Sequence, residues 1–118
     1  MSNNDILRTL RFTFDFNDFE MIDLFKKGGL ESTREEVSNW LKKEDDPEYK
    51  QIYDKELAHF LNGFIVLKRG QKDGETPAAE KSLNNNMILR KLKIALSMKD
   101  QDMLDVFELR KFRISKHE

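Results

Sequence analysis

Apolar residues in this chain recur mainly at the three-and-four spacing of helices. Ile88, Leu89, Leu92, Ala95 and Leu96 fall on one helix face. One earlier stretch reads differently: Phe12, Phe14 and Phe16 alternate with Thr13 and Asp15, the period of a strand. An internal repeat resolves the ambiguity. Shifted by 82 residues (85 − 3), residues 3–36 lie over 85–118 without a gap, and 11 of these 34 positions are identical. They are Asn3/Asn85, Asn4/Asn86, Ile6/Ile88, Leu7/Leu89, Arg8/Arg90, Leu10/Leu92, Asp18/Asp100, Met21/Met103, Asp23/Asp105, Phe25/Phe107 and Glu36/Glu118. The alternating phenylalanines match Ile94, Leu96 and Met98 of a clearly helical copy, so both copies are predicted helical. Self-similarity at a fixed offset defines the structural unit.

The pattern predicts a helix over about 5–15 and its twin over about 87–97, with Asn4 and Asn86 as N-caps. Asp18 and Asp100 cap the next pair, which carry Met21, Ile22 and Phe25, or Met103, Leu104 and Phe107. Gly28-Gly29 closes the first of these helices. Thr33 and Glu36 form a capping box for a third helix with Val37, Trp40 and Leu41 inward. A fourth helix is expected from the Asp46-Pro47 pair onward, its stripe running from Tyr49, Ile52 and Tyr53 through Phe64 and Ile65 to a stop near Gly70. Residues 70–84 lack an apolar period and read as a flexible linker. The expected architecture is all-α: a helical unit over 1–69, the linker 70–84 and a partial repeat over 85–118.

Composition adds limits. With 36% charged residues, the chain fits helices whose outer faces are heavily charged. Charge is divided unevenly: 13 Lys+Arg against 17 Asp+Glu in 1–84, and 8 against 5 in 85–118. The absence of cysteine excludes disulfides and thiolate catalysis. An N-terminus without a basic-then-apolar signal, and a longest apolar run of four residues from Phe64 to Leu67, predict a soluble cytoplasmic protein without a membrane span.

The phrases NDILRTLRFTF, DFEMIDLF and WLKKEDDPEY, followed by NNMILRKLKIALSMKDQDMLDVF, resemble the YehS-like bacterial family, whose function is unknown. The resemblance implies a cytoplasmic, all-helical protein of two similar units and supplies no activity. Here the second unit stops at the cap that precedes its third helix.

Candidate chemistry is sparse. Arg8 and Arg11 recur as Arg90 and Lys93, a pair of basic ridges suited to anions or nucleic-acid phosphates. The favoured, plainer reading is that Arg8 and Arg90 pair with the equally repeated Asp23 and Asp105, or face solvent. A helix-turn-helix reading places Arg34, Glu35, Ser38, Asn39 and Lys42 outward. Its turn is too long, and its two glutamates would meet phosphate. His59 and His117 form no catalytic set, and no zinc-ligand spacing, EF-hand or P-loop is present. The expectation is a protein without cofactor or metal, leaning away from an enzyme. Partner binding is the stronger reading. The second copy offers Leu89, Leu92, Leu96, Phe107 and Phe112 without helices three and four to cover them, so that face is expected to pack either on the first unit of its own chain or on another chain by an exchange across the linker. Burial of each such side chain is worth about 1.5–3 kcal/mol. Phe19, whose twin is Gln101, is a further interface candidate. The favoured expectation is a non-enzymatic interaction module that self-associates through its incomplete repeat. The alternative is a nucleic-acid-binding or regulatory protein using the basic faces of helix 1.

Overall fold

The computed structural model describes residues 2–70 and 78–96. They form five α-helices and no strand: α1 (Asn3–Phe14), α2 (Asp18–Lys27), α3 (Arg34–Leu41), α4 (Asp54–Arg69) and α5 (Asn85–Ala95). The all-α class is as the periodicity predicts. The second helix expected in the partial repeat lies outside the described residues, as do Phe107 and Phe112.

The starts of α1, α2, α3 and α5 are set by side-chain caps, three of them one or two residues from their expected positions. Ser2 caps α1 and exchanges hydrogen bonds with Asp5. Asn17 does the same with Glu20 for α2, so Asp18 is the first helical residue and not the cap. Thr33 and Glu36 form the expected capping box. Asn84 caps α5 through the Met87 N–H, 2.8 Å. The caps Ser2 and Asn84 are themselves 82 residues apart, while Asn4 and Asn86 lie inside their helices. α1 ends where Asp15 takes a left-handed conformation, φ 54°. Phe12 is exposed on α1, and Phe16, just past the turn, lies in the core.

The fourth helix begins later than its apolar stripe predicts. Residues 42–53 form turns and an irregular stretch instead. Asp46 Oδ1 accepts from the Glu48 N–H at 2.9 Å, and the Lys50 N–H bonds to the Asn39 carbonyl at 3.1 Å. Tyr53 precedes α4, and Gly70 closes it with φ 84°.

α4 is the central element, packed against α2 and α5, while α1 packs against α3 and α4. Phe25 stacks obliquely between Trp40 and Phe60, with ring centroids 5.1 Å apart in each pair. Phe14 and Phe16 meet Phe64 at the far end of α4. Ile88, Leu92, Ala95 and Leu96 join the same core, which also takes in Ile6, Leu7 and Leu10. The apolar stripe of α5 is therefore covered by the first unit of its own chain.

Candidate functional site

Asn4, at the start of α1, carries the densest polar contacts among the described residues. Its side chain is fully buried. Nδ2 donates to the Trp40 carbonyl at 2.8 Å and the Lys50 carbonyl at 2.9 Å. Oδ1 accepts from the Tyr49 hydroxyl at 3.1 Å and the Ile52 N–H at 3.2 Å. All four capacities of the amide are used, which is what burial of a polar side chain requires. Next to it, Asn3 donates to the Ile52 carbonyl at 3.2 Å and to Asp54 at 2.7 Å.

One turn on, Arg8 donates to the Lys42 carbonyl at 2.7 Å and pairs with Asp5. α3 has no basic residue in its last turn. Its C-terminal carbonyls, the negative end of the helix dipole, are served by Asn4 and Arg8 of α1 instead. Burial pushes the Asp5 carboxyl up. The hydrogen bonds from Ser2 and the bond and charge of Arg8 together outweigh it, leaving the group below its ordinary value. The repeated aspartate Asp23 pairs with Lys27 and not with Arg8.

α5 carries the same signature on a different background. Asn86, Leu89 and Arg90 occupy the positions of Asn4, Leu7 and Arg8 and share one helix face. Leu7 is buried, and Leu89 only half-buried. The Asn86 and Arg90 side chains are exposed and make no hydrogen bond or ion pair among the described residues. The face that α3 and its exit close on α1 is thus open on α5.

The other basic candidates divide. Arg11 and Arg34 both approach Asp18, at 3.7 and 3.4 Å, so one carboxylate sits between two guanidinium groups. Lys93 is exposed. Of the outward set on α3, Lys42 turns back, donating to Asn39 and Glu48. Of the interface candidates, Phe19 stands 78% exposed, while Leu92 and Leu96 are core residues.

Three features escape a reading of the sequence. Phe12 is 87% exposed, although it belongs to the Phe-rich run. His59 Nδ1–H donates to the Gly28 carbonyl at 2.7 Å and so ties α4 to the end of α2. Lys91, whose twin is Thr9, donates to buried Asn62 at 2.6 Å and pairs with Glu80 at 2.9 Å. Asn62 in turn donates to the Ala78 carbonyl, and Asp54 accepts from the Leu83 N–H. Residues 78–84 are held against α4 by these bonds, although no apolar period marks them. Lack of identity between the copies at position 91 was the available signal, since a residue that differs from its twin can make contacts the twin does not.

The model of a family described as "Protein of unknown function (DUF1456)" matches two stretches of the chain, residues 3–70 and 85–118. The chain belongs to the DUF1456 family. A curated relative is the uncharacterised protein YehS of Escherichia coli (strain K12), 40% identical over 117 residues, covering 98% of this chain and 74% of that one. No solved structure matches. Both DUF1456 stretches contain the Asn-Asn-x-Ile-Leu-Arg pattern, at residues 3–8 with Asp5 between and at 85–90 with Met87 between. In this DUF1456 chain no group of His, Asp or Glu suited to a metal ion occurs among the described residues. Nor is any described helix long and apolar enough to cross a membrane.

Proposed function

We propose that this chain is a non-enzymatic, cytoplasmic interaction module that self-associates. The observation that supports the reading is the exposure of Phe12 and Phe19, at 87% and 78%, on either side of the α1–α2 turn. Two aromatic rings seven residues apart, both in water, forgo several kcal/mol that a protein contact would recover. Ile94 is the twin of Phe12 and is exposed as well, so the second repeat carries an apolar residue at the matching position. The stripe of Leu92 and Leu96 is occupied within the chain. Self-association therefore rests on these outer residues and not on the buried face of α5.

Sedimentation velocity over a rising concentration series tests this reading. Concentration-dependent oligomers that vanish in the Phe12→Ser, Phe19→Ser double variant are expected. A monomer at every concentration would sink it. Nucleic-acid binding is the rival, and Arg8 and Arg11 weigh against it, because both are engaged by carboxylates. The exposed Arg90 side chain, which pairs with no carboxylate among the described residues, favours it. It requires an affinity that falls steeply with salt and drops when Arg90 and Lys93 become alanine.

A further inference from the structure

We infer that the α1–α2 turn is the centre of a twofold contact with a second copy of this chain. In it, the Asp15 carboxylate of each copy meets the Arg34 guanidinium of the other, over Phe12 and Phe19. The inference rests on the self-association proposed above and specifies its symmetry and its charge pairs.

Three elements bring their charged residues together at this turn. Arg11 and Phe12 are neighbours in the last turn of α1, Asp18 and Phe19 open α2, and Arg34 opens α3. Asp18 ties the group together, with Arg11 at 3.7 Å and Arg34 at 3.4 Å. Arg34 is 75% exposed and can leave Asp18 without stranding it, because Arg11 stays. Asp15 supplies the opposite charge. It is exposed, and its side chain makes no hydrogen bond or ion pair among the described residues. It also closes α1 in the left-handed region, φ 54°, where glycine is the less strained residue. An aspartate is tolerated there when its carboxylate bonds to nearby backbone. Here that bond is not made, so local structure gives no reason for the charge.

Both signs of charge on one apolar patch identify the occupant. In a twofold contact the same patch faces itself, so an unpaired anion and a loosely held cation become partners across the axis. A single strand of nucleic acid would suit the two rings, Arg11 and Arg34. It would also meet the carboxylates of Asp15, Asp18 and Glu20, which outnumber those two cations. A strongly acidic or strongly basic protein would leave one of the two signs opposed. Exposed ion pairs add little affinity. The rings therefore supply the attraction, and the charges fix the register.

Sedimentation velocity on charge-reversed variants of the full chain tests the pairing. Asp15→Arg and Arg34→Asp each set like charges together twice in a symmetric dimer. Each should weaken self-association by at least about tenfold. An equimolar mixture of the two variants should dimerise like the parent, because the mixed dimer again holds two opposite-charge pairs. Asp15→Asn keeps a residue suited to the left-handed turn and should weaken association by about threefold. It decides the matter if Asp15→Arg loses helicity, and an unchanged affinity there overturns the inference. Charge-reversed variants that associate like the parent, or a mixture of folded variants that stays monomeric, would overturn it too, while self-association through Phe12 and Phe19 stands. A parent chain monomeric at every concentration would overturn both, whether the patch is bare, is covered from within the chain or takes up an added oligonucleotide.

Discussion

Gly28 and Gly63 face each other where α2 crosses α4. A Cβ on Gly28 would lie 1.6 Å from the His59 carbonyl oxygen, and one on Gly63 would lie 1.7 Å from that of Leu24. Two helix backbones touch here with no side chain between them. That closeness also brings the His59 ring onto the Gly28 carbonyl. Gly28 is needed for close approach and has φ −86°, whereas Gly29, at φ 96°, supplies the left-handed turn expected of the pair.

Gly63→Ala is therefore expected to destabilise the protein, although alanine is the better helix former by about 1 kcal/mol. The obstacle is backbone, which cannot rotate aside as a side chain would. A net loss of at least about 2 kcal/mol should appear in urea denaturation, as for other overpacked sites. Gly70→Ala is the control, since a Cβ there meets no atom within 4 Å and carries only the strain of φ 84°. A Gly63→Ala variant as stable as the parent would show that the helices separate at little cost.

Asn4 and Asn86 are identical in the repeat and opposite in role. Asn4→Ala removes partners from two carbonyls, one N–H and one hydroxyl, two of these bonds being buried and two part-buried. A loss of about 3 kcal/mol or more is expected, because each stranded buried group costs about 1–3 kcal/mol. Asn86→Ala, at an exposed position, should stay within about 0.5 kcal/mol of the parent. Equal losses in the two variants would contradict the exposed placement of Asn86.

Lys91 is 14% exposed and holds α5 to Asn62 and Glu80. Replacing it with methionine keeps the aliphatic stem and removes the charge. Hydrogen exchange should then quicken across α5 by about tenfold or more, while the α2–α4 core keeps its protection. Uniform quickening would mean that α5 is no separate opening unit.

Much of the fold is legible because helical periodicity and capping are local. The Thr33–Glu36 box, the stop at Gly70 and the buried stripes of α2 and α3 each depend on residues within a turn or two of one another. The repeat added what periodicity lacked, turning the alternating phenylalanines of α1 into a helix. What stayed hidden depended on partners distant in sequence. Tyr49, Ile52 and Tyr53 fit a helical stripe, yet the Lys50 carbonyl and the Ile52 N–H bond to Asn4 across 46 and 48 residues, and the backbone there is not helical. Arg8 and Arg90 look alike as letters, and only the end of α3 beside one of them separates a helix cap from an open surface group.

Taken alone, the sequence determined that this chain is helical, that its opening pattern occurs twice, and which faces are apolar. Tertiary structure decided which of the repeated polar residues are used. An amide or guanidinium gains a defined role only when burial strips its water and a matching carbonyl arrives from elsewhere in the fold. In the first repeat α3 and its exit bring those carbonyls to Asn4 and Arg8. On α5 the same residues still face water.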